Sequence, residues 1–214
     1  MKIFPFFGKP QRFEFVADDQ GRHWLGGEVP DNFRIPSNEF PGGIQYLGKI
    51  DNSDPVYSWL PFNLHIIYPI YLNARVIYLD YQNPDRPEIL NVLTKAEITT
   101  EYDDLTLDSS IIFQRSPFSI KNLTRPVEDM EIIGVGGAPI WVNGKAASIR
   151  IERRFKFVAQ LMSSDLIPVV FKNFTCQDIR YQDNFRFLHF WEDGDLKIFF
   201  DPNDKQACLF IQNT

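Results

Sequence analysis

Alternation with a period of two runs through most of this 214-residue chain, and no stretch of comparable length repeats at the 3.6 residues of a helical turn. Successive side chains of a strand point to opposite faces, so such a pattern commits a segment to a pleated surface. "SIRIERRFKFVAQL" (148–161) alternates from Ile149 and Ile151 to Phe155, Phe157, Ala159 and Leu161, with a one-residue slip near Arg153 that predicts a bulge or bend. "RVIYLDYQ" (75–82) is apolar on both faces, which predicts a strand covered on both sides. In "NFRFLHFWEDGDLKIFFDP" (184–202) an Asp-Gly tip separates two aromatic stretches. Glycine tolerates positive φ, so this reads as the clearest hairpin in the sequence, with Phe185, Phe187, His189 and Trp191 on one face of its first strand.

Composition points the same way. Aromatic residues make up 15%, led by 20 Phe, and favour half-buried strand surfaces; 15 Pro and 12 Gly supply frequent breaks. Short helical segments are expected only within 91–102 and 124–133, and neither carries a long amphipathic period. The expected fold class is α+β, strongly β-dominated, with few and short helices. No low-complexity linker divides the chain, so residues 1–214 are expected to form a single compact domain.

Spacing suggests a duplication inside that domain. "FPGGIQYLGK" (40–49) and "VGGAPIWVNGK" (135–145) share a Gly-Gly pair, a mostly apolar run and Gly-Lys. "FNLHIIY" (62–68) and "FKFVAQL" (155–161) follow at nearly equal distances, and "VIYLD" (76–80) and "LKIFFD" (196–201) come next in the same order. Two similar packed β-rich repeats are therefore expected, at about 35–100 and 130–214. The second would carry an insertion over roughly 162–195.

"GVGGAPIW", "FKFVAQL", "WEDGDLKIFFDP" and the final "CLFIQN" together resemble the YwqG-like domain family. The resemblance covers chiefly 133–214, with a fainter copy at 40–90. It implies a duplicated, strand-rich fold of a bacterial family of uncharacterised function, some of whose members are suggested to act as immunity proteins beside secreted toxins. It implies no catalytic residue.

Several function classes lose support from the residues themselves. The net charge is −6 and no basic stripe is present, which argues against nucleic-acid binding and leaves a basic protein as the natural partner. No run approaches the length of a membrane helix, and "MKIFPFFGKPQRF" lacks the apolar core and cleavage site of a secretory signal, so a cytoplasmic location is expected. Cys176 and Cys208 have neither metal-knuckle nor redox spacing and are expected to be buried thiols. The glycine turn at 136–145 fails as a phosphate loop: seven residues separate Gly136 from Gly144, Ala146 stands where Ser or Thr is needed, and Pro139 removes an N–H. His23, His65 and His189 are too far apart for a zinc motif, and no nucleophile elbow occurs. No cofactor or metal is therefore expected, and no catalytic residue is singled out.

What remains is recognition. Trp141, Gln160, His189 and Trp191 lie in the segments of family character and are the candidate binding residues, because large aromatics near turns anchor interfaces at low entropic cost. The expected function is a non-enzymatic, protein-binding module of the immunity type. The alternative is an enzyme or small-ligand protein with a cleft between the two repeats, flanked by both glycine turns.

Overall fold

The computed structural model describes residues 11–37, 40–74, 76–91, 98–100, 102–123, 132–141 and 151–213. The helix expected within 91–102 falls mostly outside these residues, as does most of the one expected within 124–133. Strand is the dominant element. In chain order the strands are β1 (Phe13–Ala17), β2 (His23–Leu25), β3 (Gln45–Ile50), β4 (Leu64–Tyr68), β5 (Asn73–Ala74), β6 (Ile77–Asp80), β7 (Glu88–Ile89), β8 (Ile98–Thr99), β9 (Ile111–Phe113), β10 (Ser116–Asn122), β11 (Gly134–Gly136), β12 (Lys156–Met162), β13 (Ser164–Lys172), β14 (Phe187–Leu188), β15 (Asp195–Asp201) and β16 (Gln206–Gln212). Helical geometry among the described residues is confined to two 3₁₀ segments, Ile179–Phe185 and Trp191–Asp193. None of it is long and apolar enough to cross a membrane.

An eleven-stranded sheet runs in the order β4-β3-β2-β10-β1-β11-β12-β15-β16-β6-β7. A second sheet is β14-β13-β9, and β5 pairs with β8. Among the described residues every ladder is antiparallel and no long crossover helix joins the strands. The late strands β11, β12, β15 and β16 lie between β1 and β6, so early and late segments interleave. At the far ends of the large sheet, the Tyr81 hydroxyl donates to the His65 carbonyl (2.7 Å), and Phe62 packs edge-on to Phe200 at 5.7 Å. The β6 end is thereby folded back toward β4.

The alternation becomes two buried faces in β15 and β16. Leu196, Ile198, Phe200, Ala207 and Leu209 join the main core. Phe199, Cys208 and Phe210 join a smaller cluster on the opposite face with Phe155, Trp141 and Phe157. Each fully buried Phe contributes about 2–3 kcal/mol, so both faces stabilise these strands.

Two local expectations are corrected and one is met. The hairpin across "EDGD" does not form: β14 pairs with β13, while β15 pairs with β12 and β16. The turn comes before the glycine, with Glu192 and Asp193 at φ 50° and 53° and Gly194 extended at φ −72°. The Phe190 N–H donates to Ser163 Oγ and the Trp191 N–H to the Ile70 carbonyl, which steers the chain away from β15. The tight hairpin is β15–β16 instead, where Asp201 accepts from the Asn203 N–H at 2.9 Å and Arg154 bridges Asp201 and Asp204. The slip near Arg153 is a turn at Arg153–Arg154, closed by the Phe155 N–H on the Glu152 carbonyl at 3.1 Å; β12 carries a further irregularity between Phe157 and Ala159, where the Tyr57 hydroxyl holds the Val158 carbonyl at 2.9 Å. Finally, the two glycine pairs differ: Gly42 and Gly43 both have positive φ, whereas Gly136 belongs to β11 and only Gly137 turns (φ 82°).

Candidate functional site

Two of the four sequence-derived residues come together. Gln160 is buried on β12, where its Oε1 accepts from the Ile140 N–H at 2.8 Å and its Nε2 donates to Asp195 Oδ2 at 2.7 Å. Ile140 thereby fixes the chain so that the half-buried Trp141 stacks on Phe199 (6.4 Å, 16°). His189 and Trp191 belong to the corner before β15 instead. His189 Nε2 lies 2.7 Å from Asp193 Oδ1, while its Nδ1 and the Trp191 indole N–H are buried without a hydrogen-bond partner.

The Trp141–Gln160 group contains a residue the sequence reading missed. Lys197 sits directly across from Gln160 on β15, and its side chain is fully buried. Its Nζ makes no hydrogen bond; it lies 4.0 Å from Asp195 Oδ2 and 5.8 Å from the Trp141 ring. Burial pushes the amine down to about 8, against the pull of Asp195, and burial likewise pushes the Asp195 carboxyl up. Gln212, opposite Asp195 on β16, has a buried Oε1 that is also without a partner. A lysine within an alternating apolar strand reads as an outward residue, so only the burial of both sheet faces exposes its unusual setting.

An open cleft of about 950 Å³ lies elsewhere. Its floor is Trp24, with the Lys49 ammonium 4.1 Å and the Arg115 guanidinium 4.0 Å from the ring centroid. Lys49 is held by Asp51 at 2.7 Å. Beneath the floor the Asp51 N–H donates to His23 Nδ1, which leaves His23 Nε2 to donate to Asp54 (3.3 Å); burial pushes the His23 pKa down. His65 also lines the cleft. Its Nδ1 lies 2.8 Å from the Tyr46 hydroxyl, which burial pushes up to about 12, while burial and then Lys49 push His65 down.

One wall of the cleft is the loop Gly27–Asp31. Gly26 at its root has φ 69°, and a Cβ there would stand 2.2 Å from the Gln114 carbonyl oxygen, so only glycine lets the loop lie against the segment after β9. The other wall is β13, where two residues advance against one of β9 between Val169 and Phe171. This bulge turns Val170 and Phe171 outward together, 62% and 49% exposed, facing a rim that includes Val29. Neither glycine pair at 42–43 or 136–137 lines this cleft.

Among the described residues no group of His, Cys, Asp and Glu is arranged to hold a metal. Both thiols are buried and pushed up by burial, Cys208 to about 12, the opposite of an activated nucleophile. Ser163 Oγ donates to the Gly194 carbonyl and accepts from the Phe190 N–H, so it makes no pair with His189. No protein-family model, curated protein or solved structure matches the chain.

Proposed function

We propose that this chain is a non-enzymatic protein-binding module of the immunity type, and that the Trp24 cleft is its docking surface. The observation that carries the reading is the bulge at Val170, which presents Val170 and Phe171 as adjacent exposed anchors beside a Trp–Arg floor. Exposed apolar residues gathered at one cleft mark interaction sites, and Trp and Arg supply much of the energy of such interfaces.

The partner is a basic protein. Net charge of −6 favours its approach, and Glu28 and Asp31 at the cleft wall make no ion pair among the described residues. The resemblance to YwqG-like domains supports the same reading, as it does a cytoplasmic location and the two repeats at about 35–100 and 130–214. In each of those repeats a strand following or ending in a glycine pair is paired with the next strand, β3 with β4 and β11 with β12.

The test is retention of a stoichiometric basic protein from the native host by the wild type. A Val170→Asp/Phe171→Asp double variant is expected to lose it at unchanged Tm, since both residues are exposed. Equal retention by the double variant refutes the docking surface, and absence of any stoichiometric partner refutes the module.

A further inference from the structure

We propose that Lys197 is a covalent ligand site, where the amine reversibly captures a small neutral aldehyde as an imine. This goes beyond the docking cleft and does not depend on it. The site is the outer face of β12, β15 and β16 under Trp141. Three of its polar groups are arranged as this chemistry needs: an amine with no hydrogen bond, a carboxyl 4.0 Å away that Gln160 holds in place, and an amide oxygen on Gln212 with no donor.

Leaving a fully buried ammonium without a hydrogen bond costs several kcal/mol, so a structural lysine in this place is a poor solution. An amine that spends part of its time neutral is a good nucleophile, and desolvation in an apolar setting is how proteins prepare one. Because burial holds this amine at about 8, roughly a tenth is neutral at pH 7, against less than about a thousandth for an ordinary lysine.

The step balances without any further reactant. The nitrogen lone pair attacks the carbonyl carbon, the C–N bond forms and the oxygen is protonated to a carbinolamine. The Asp195 carboxylate then takes the nitrogen's proton and hands it to the hydroxyl, which leaves as water as the C=N bond forms. Gln212 Oε1 is free to accept a hydrogen bond from the carbinolamine hydroxyl. The ligand class follows from the walls. Asp195 opposes an anion, while Trp141 at 5.8 Å and Phe210, opposite Lys197 on β16, favour an apolar or aromatic body.

Native protein treated at pH 7 with benzaldehyde and cyanoborohydride, followed by peptide mass mapping, tests the site. Lys197 is expected to acquire the benzyl group at least about tenfold faster than the exposed Lys121 and Lys172. Asp195→Asn is expected to slow labelling of Lys197 about tenfold and leave Lys121 and Lys172 unchanged. Lys197→Met, with folding checked by circular dichroism, is expected to lose that adduct alone. Labelling of Lys121 and Lys172 with Lys197 unmodified overturns the proposal, as does labelling of Lys197 only after denaturation. An Asp195→Asn rate equal to wild type overturns the part given to Asp195.

Discussion

Replacing Lys197 by methionine removes a cation from a place where nothing hydrogen-bonds it, while keeping a flexible side chain of similar length. The amine falls from 10.5 to about 8 on folding, and at about 1.4 kcal/mol per unit this costs the folded state about 3 kcal/mol at neutral pH. Part of that gain is lost in the variant, because Asp195 keeps its Gln160 bond but loses the cation 4.0 Å away. The expected net effect at pH 7 is a stabilisation of about 1–2 kcal/mol, or a Tm higher by roughly 2–8 °C for a chain of this length.

The pH dependence follows from the sign of the shift. Below about 8 both states carry the proton and the full penalty is present. Between about 8 and 10.5 the folded state binds fewer protons than the unfolded one, so wild-type stability rises with pH relative to the variant. Urea unfolding followed by circular dichroism from pH 7 to 9.5 measures both proteins, and their difference isolates Lys197 from other titrating groups. A variant less stable than wild type by 1 kcal/mol or more at pH 7, with a difference that does not change toward pH 9.5, refutes the reasoning.

Three further outcomes are expected. Gln160→Leu leaves the Ile140 N–H and Asp195 without their partner and lowers stability by about 2–3 kcal/mol in urea unfolding, with a loss of Trp141 order visible in its fluorescence. Gly26→Ala drives a Cβ toward the Gln114 carbonyl oxygen at a left-handed φ, so it costs more than about 2 kcal/mol in thermal unfolding and weakens any ligand of the Trp24 cleft. A fragment of residues 131–214 loses the β1 partner of β11 and the β6 partner of β16, and it is expected to show no cooperative unfolding transition by calorimetry.

Strand content was legible because alternation is a local signal: Ile77, Leu79, Leu196, Ile198 and Phe200 each carry it in their own neighbourhood. Partner choice was not. The "EDGD" segment has hairpin chemistry, yet hydrogen bonds from Phe190 to Ser163 and from Trp191 to Ile70, both far along the chain, decide where the preceding residues go. Gln160 and Trp141 were legible as residues of interest because they sit in a distinctive motif. Lys197 was invisible beside them, since its character comes from the Phe210 and Gln160 sides of a sheet whose order no local pattern encodes. The cleft was hidden for the same reason, with Trp24, Lys49, Arg115 and Phe171 drawn from four separate stretches.

The interleaving of late strands between early ones sets a timetable for synthesis. β6 emerges early, but its ladder partner β16 follows only after more than a hundred further residues; Gln82 and Asp204, bonded just beyond that ladder, are 122 apart. At the usual 5–20 residues per second, the hydrogen-bonding edge of β6 toward β16 waits on the order of 10 s for its mate. During that interval the apolar run from Ile77 to Tyr81 is an open template for another nascent chain. A pause engineered between residues 90 and 200 lengthens the interval in which this edge stands open.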